Sequence, residues 1–280
     1  MNEVIIAVIL GIVEGLTEFL PVSSTGHLIL VGNWLQYTGE KANTFEIFIQ
    51  FGAIVAVLIY FRHRLGALLQ RILGREARSG SAAGLSVSQA RRFAASVILA
   101  FFPAALLGFF LHDIIEELFF NPKMVSASLV IGGVGIILIE RLRLRPNTEH
   151  MEEITWLQAL WVGVAQCLAL MPGMSRSAST IMGGLVAGLG HAAAAEFSFF
   201  LAIPTISAAT VYSLLKRIHL LNRDDALVFA IGFIVSLITA WVVIAAFMSF
   251  IKKHSFEAFG WYRIALGFVI LGMLWLQSGS

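Results

Sequence analysis

The segment Gly11-Ile-Val-Glu14-Gly-Leu16-Thr17-Glu18-Phe-Leu-Pro21-Val-Ser23-Ser24-Thr25-Gly26-His27 opens as an apolar helix and then breaks at hydroxyls, charges and a proline. A second segment, Gly163-Val-Ala-Gln166-Cys-Leu168-Ala-Leu170-Met-Pro172-Gly173-Met-Ser175-Arg176-Ser177-Ala-Ser179-Thr180, does the same. With Gly11 laid on Gly163, Glu14 meets Gln166, Leu16 meets Leu168, Ser23 meets Ser175 and Thr25 meets Ser177, while the prolines fall one residue out of step. The two are read as an internal repeat. Carboxylates, a histidine and an arginine are costly in apolar surroundings, so each is by default a functional hypothesis.

Outward from these segments the chain is apolar. Hydrophobic residues make up 58% and charged residues 13%, with mean hydropathy +0.86, against roughly 25% charged in ordinary soluble domains. An all-α integral membrane protein is expected, because long uncharged runs between short charged loops let each helix satisfy its own backbone in lipid. The net charge of +2 gives no reason to expect a nucleic-acid partner. The start lacks a basic n-region and the apolar run contains Glu14 and Glu18, so no cleaved signal peptide is expected. The single cysteine, Cys167, cannot form an internal disulfide and reads as a small packed residue.

Six spanning helices are predicted: Phe45 to Phe61, Phe93 to Leu111, Met124 to Ile139, Phe197 to Leu215, Ala226 to Phe250 and Trp261 to Leu276. The two copied segments, 4–35 and 156–189, each read as a helix, a polar break and a second helix, hence as re-entrant hairpins. Residues 1–150 then form one repeat and 151–280 another, each a hairpin plus three crossings, within one membrane domain. An odd number of crossings inverts the second copy, and inverted repeats place broken helices at a shared site near the midplane. The stretch from Gly74 to Ser88 reads as a flexible connector.

Lysine and arginine in short loops set the orientation. Between Arg62 and Arg92 stand seven arginines and one glutamate, whereas the next loop carries Asp113, Glu116, Glu117 and only Lys123. The first loop is therefore expected in the cytoplasm, with both termini outside. Lys216, Arg217 and Arg223 run against that placement, partly balanced by Asp224 and Asp225.

Glu14 and Glu18 are one helical turn apart on one face. Two such carboxylates share a proton or hold a hard divalent cation, Mg2+ or Ca2+, rather than zinc, because the only nearby imidazole is His27. A packing pair or a transporter's proton relay would leave Ser23, Ser24, Thr25 and His27 unexplained. Ser24 followed by His27 could supply a hydroxyl nucleophile and a base, although Ser23 or Ser24 would also cap the second half-helix. Arg176 demands an anion: its planar fork fits phosphate oxygens, and Ser175, Ser177, Ser179 and Thr180 add hydroxyls beside it. A structural ion pair between Arg176 and Glu14 or Glu18 is compatible with this if the pair opens when substrate arrives. Glu46, Gln50, His191 and Glu196 read as interfacial, and Arg263 as a snorkelling anchor at a helix end.

At these motifs the chain resembles the bacterial undecaprenyl-pyrophosphate phosphatase family associated with bacitracin resistance. That family's first motif, Glu or Gln followed by x-x-x-Glu, is met by Glu14 and Glu18, running on into Leu-Pro-Val-Ser-Ser-Thr-Gly-His ending at His27. Its Pro-Gly-x-Ser-Arg-Ser-x-x-Thr motif is met by Pro172, Gly173, Ser175, Arg176, Ser177 and Thr180. The likeness extends to the Glu-Phe-Ser-Phe run at Glu196 and the Tyr262-Arg263 pair.

The resemblance implies removal of the terminal phosphate from a C55 polyprenyl diphosphate, recycling the carrier of cell-wall synthesis in the bacterial inner membrane, and the loop count places the opening of the site on the extracytoplasmic side. It implies Glu14 and Glu18 at a metal, Ser24 as candidate nucleophile with His27 or a metal-bound water as the alternatives, and Glu18 or His27 as proton carrier. Arg176, Ser175, Ser177 and Thr180, with Ser23 and Thr25, would bind the substrate. A lipid partner, the bilayer itself and a homodimer complete the expectations. The acid-phosphatase-like lipid phosphatases also carry Ser-Gly-His and Ser-Arg runs, but after Arg176 the chain is apolar to His191 and has no Asp before Asp224. A lipid transporter or flippase is the alternative from another class, since inverted repeats with broken helices suit it equally.

Overall fold

The computed structural model describes residues 2–75, 85–119, 121–217 and 225–278. Among them the regular structure is helical: α1 (Glu3–Thr17), α2 (Ser24–Trp34), α3 (Glu40–Tyr60), α4 (Arg62–Ile72), α5 (Val87–Phe119), α6 (Pro122–Arg141), α7 (Trp156–Gln166), α8 (Arg176–Val186), α9 (His191–Arg217), α10 (Asp225–Phe250) and α11 (Glu257–Ser278). Short 3-10 turns lie at Met151–Glu153 and Cys167–Leu170.

Six of these helices, α3, α5, α6, α9, α10 and α11, are long and apolar enough to cross a membrane. They coincide with the six predicted runs, each beginning earlier than predicted, while α3 ends one residue sooner, at Tyr60, and α10 at the predicted Phe250. The protein is a multi-pass membrane protein. Of the expected connector, residues 76–84 lie outside the described residues, while Val87 already belongs to α5.

The two copied segments do break as expected. A helix of 15 residues such as α1 rises only about 22 Å, short of the hydrocarbon thickness. The chain then turns through Pro21 and starts α2 at Ser24; α7 ends at Gln166, passes through the 3-10 turn and Pro172, and α8 starts at Arg176. Ser23 and Ser175 are the N-caps, their hydroxyls accepting from Gly26 N at 3.3 Å and Ala178 N at 3.2 Å.

Small residues let the short helices press against long ones. Gly11 faces the Gly232 carbonyl, so that a Cβ there would lie 2.7 Å from it, and this seats α1 on α10. Gly163, the residue aligned with Gly11, seats α7 on the Ala100 carbonyl of α5 in the same manner. Helix α6 packs on α11 and α3 on both α9 and α10. Phe19, Phe197, Phe199, Phe247 and Phe256 are fully or nearly fully buried in the main core. Charged pairs sit at helix ends, where Arg64 bridges Glu152 at 2.6 Å and Glu196 at 2.8 Å.

Candidate active site

Both breaks face one cavity of about 530 Å³. Glu18, Ser23, Ser24 and Thr25 enter from the first break, Gln166, Pro172, Ser175 and Arg176 from the second, and Gln50 and Thr205 from α3 and α9. The remaining wall is mostly apolar and comes chiefly from α5 and α9, including Phe101, Ala105, Phe109, Ala208 and Ala209, with Tyr212 and Ser213 of α9 adding hydroxyls. It is a polar head with an apolar gallery.

At the head, Ser24 Oγ donates to Glu18 Oε2 at 2.6 Å. The other Glu18 oxygen accepts from Arg176 Nη2 at 3.2 Å, tying together residues 158 positions apart. Arg176 Nη1 donates to the Ser198 carbonyl at 3.0 Å and to the Ser198 hydroxyl at 3.2 Å, and its guanidinium lies 5.7 Å from the Phe19 ring centroid. Thr180 Oγ1 lies 2.6 Å from Ser198 Oγ, so Thr180 steadies the residue that steadies Arg176. Arg176 Nε is buried without a protein acceptor, a donor left over for an anion.

Not every predicted residue reaches the cavity. Ser177 Oγ donates to the Leu20 carbonyl at 2.8 Å and thereby fastens α8 to the first break. Thr180 is fully buried behind Arg176. His27 turns away from Ser24: its Nδ1 lies 2.7 Å from the Ser23 carbonyl and its Nε2 2.7 Å from Tyr262 Oη. Glu14 is fully buried beneath Glu18, and neither carboxylate oxygen meets a protein donor.

Arg263 overturns the snorkelling expectation. It is 0% exposed, and its guanidinium donates to carbonyls of both breaks, Pro21 at 3.4 Å, Gly173 at 2.9 Å and Met174 at 3.0 Å, and to Ser128 and Leu129 of α6. A helix that leaves its register at a proline has spare carbonyls, and a buried cation with five N–H groups is one way to satisfy them. Gln50 is likewise not interfacial but lines the cavity, and His191 and Glu196 pair with Glu140 and Arg64.

Residues 7–269 match the family of the bacitracin resistance protein BacA. The chain belongs to the BacA family. The undecaprenyl-diphosphatase of Aromatoleum aromaticum is 49% identical over 273 residues, covering 98% of this chain and 95% of that protein. Those of Ectopseudomonas mendocina and Pseudomonas aeruginosa are 50% and 47% identical, each over 95% of this chain and 92% and 91% of their own. Sequence reasoning on this BacA-family chain missed Ser198, Thr205 and Arg263 as supports of the site. Ser198 and Arg263 did stand within the Glu-Phe-Ser-Phe and Tyr-Arg runs that carried the resemblance, whereas nothing marked Thr205.

Proposed function

We propose that this BacA-family chain is an undecaprenyl-diphosphatase that hydrolyses the terminal phosphate of a polyprenyl diphosphate. One observation carries the reading: a serine hydroxyl, a carboxylate and a guanidinium converge at the polar end of a cavity whose other walls are mostly apolar. A guanidinium with an unused buried N–H suits phosphoryl oxygens, and the gallery suits an isoprenoid tail.

In this reading Ser24 Oγ attacks the terminal phosphorus and Glu18 Oε2 takes its proton. The bond to the bridging oxygen breaks, and its electron pair leaves on the polyprenyl monophosphate. Water then attacks the phosphoserine, Glu18 returns its proton to Ser24 Oγ, and both water protons leave with inorganic phosphate. Arg176 turns from Glu18 to the phosphoryl oxygens, where negative charge is held through the transfer. Glu18 acts as the base rather than His27, because both imidazole nitrogens are engaged elsewhere.

The residues fit a divalent cation. Glu14 presents two buried carboxylate oxygens without protein donors, one helical turn from Glu18. Glu14 and Glu18 would hold Mg2+ or Ca2+, which supplies positive charge against the diphosphate. Among the described residues no group of three or more His, Cys, Asp or Glu gathers as a metal site. Two carboxylates with substrate oxygens and water are the pattern for such a hard ion.

The matched breaks, caps and glycine contacts support two re-entrant, inverted repeats, 1–150 and 151–280, in the bacterial inner membrane, and the arginine-rich first loop supports a cavity open to the extracytoplasmic side. Release of inorganic phosphate from a polyprenyl diphosphate by the purified protein tests the reading, with phosphoserine at Ser24 sought by mass spectrometry after acid quench. A protein that moves the lipid across vesicles without releasing phosphate is a transporter and refutes it.

A further inference from the structure

Gln166 stands where Glu14 stands in the first copy, but its surroundings differ. It is 1% exposed yet lines the cavity. Its Oε1 accepts from Thr205 Oγ1 at 3.3 Å, the same hydroxyl donating to the Leu201 carbonyl at 2.8 Å. Its Nε2 is buried and has no protein partner. A buried amide donor left without a partner costs about 1–3 kcal/mol, so a ligand acceptor is the natural complement.

Helix α9 gives that donor an address. Ser198, which holds Arg176, and Thr205, which holds Gln166, are seven residues apart, about 10 Å along the axis on one face. Beyond Thr205 the same helix offers the cavity first the apolar Ala208 and Ala209, with Phe101 and Phe109 of α5 in the same lining, and a full turn further on Tyr212 and Ser213. The order along α9 is guanidinium, amide, apolar gallery. A lipid diphosphate has the same order: transferred phosphate, retained phosphate, tail.

We propose that Gln166 Nε2 is the hydrogen-bond donor for the phosphate that stays on the lipid, making Gln166 a substrate-specificity residue distinct from the groups that act on the transferred phosphate. The inference deepens the diphosphatase reading and rests on it. The neutral amide is apt here: a carboxylate, as at Glu14, would repel the retained phosphate, whereas at Glu14 it faces a cation in the proposed site. The bond is also present in the product, so the monophosphate lipid should feel it as strongly as the substrate does.

The test uses the full-length protein in detergent with polyprenyl diphosphate, polyprenyl monophosphate and inorganic phosphate. In Gln166→Leu, KM for the diphosphate and the inhibition constant of the monophosphate should rise together by roughly tenfold or more, as for one lost hydrogen bond to a charged group. The inhibition constant of inorganic phosphate should not move, and kcat should change little. Gln166→Glu, nearly the same shape, should weaken monophosphate binding further, and it carries the test if the leucine protein does not fold. Unchanged monophosphate binding in Gln166→Glu overturns the proposal, as does a fall in kcat coupled to weaker binding of inorganic phosphate. Monophosphate binding can be followed without turnover, by the thermal stabilisation the lipid confers. Absence of phosphate release by wild type would thus refute the diphosphatase reading separately from the role of Gln166.

Discussion

Ser23 and Ser175 hold their backbones in the same left-handed conformation, φ 73° and 69°, and each caps the helix that begins one residue later. The conformation costs a non-glycine residue roughly 1–2 kcal/mol, and the cap returns a comparable amount. At Ser23 the twist presents Ser24 to the cavity; at Ser175 it presents Arg176. The two side chains that the proposed reaction relies on, Ser24 and Arg176, are each the first residue after a strained serine.

That balance can be measured. Ser175→Ala keeps the strain and loses the cap, whereas Ser175→Gly loses the cap but relieves the strain. The glycine protein should therefore unfold at a higher temperature than the alanine protein, by an amount corresponding to about 1 kcal/mol. Equal midpoints, or a more stable alanine protein, would show that the left-handed turn is not a source of strain.

Arg176→Lys should lose at least about tenfold in kcat/KM although the charge is kept, because one ammonium cannot reach Glu18, the Ser198 carbonyl and a phosphoryl group as a planar fork does. Thermal stability should fall far less than in Arg176→Ala, where Glu18 is left as an uncompensated buried charge at a cost of about 3–5 kcal/mol. Near-wild-type turnover of the lysine protein would remove this side chain from the phosphate site.

Chelation should abolish phosphate release, and added Mg2+ or Ca2+ should restore it. A binding readout separates this from chemistry: Ca2+ should raise the unfolding temperature of wild type but not of the Glu14→Gln, Glu18→Gln protein. A thermal response to the ion that survives the double substitution would assign the metal elsewhere.

The side of the membrane is accessible to a cysteine at Thr25, which lines the cavity and is half-buried, unlike its nearly covered neighbour Ser23. In a Cys167→Ala background, Thr25→Cys should react with a membrane-impermeant thiol reagent in intact spheroplasts and be protected by lipid diphosphate. Labelling that requires an exposed cytoplasmic face would reverse the orientation proposed from the loop arginines.

The long helices could be read from sequence because apolar length and uncharged runs dictate them, and the breaks because prolines and polar residues at that depth need a reason. The pairing of Glu18 with Arg176 was foreseeable, since a buried guanidinium needs an anion. What pattern could not supply was which way a side chain turns once two helices meet. His27, three residues after Ser24, suggested a base for it, but the turn at Ser23 sends the ring to Tyr262 and leaves the hydroxyl to Glu18. Arg263 lies near a helix end in the sequence, where arginines ordinarily reach for water; its carbonyl partners come from three separate stretches and no local pattern reveals them.

Arg263 also fixes an order of events during synthesis. The carbonyls of Pro21, Gly173 and Met174 are made long before the guanidinium that joins them. A nascent chain that has inserted every helix through α10 can already join the breaks through Ser177 and through the Glu18–Arg176 pair, but the carbonyls of Pro21, Gly173 and Met174 gain their shared buried donor only when the last spanning helix enters the bilayer. A ribosome stalled before residue 263 would therefore leave both breaks inserted with those carbonyls lacking the guanidinium that satisfies them.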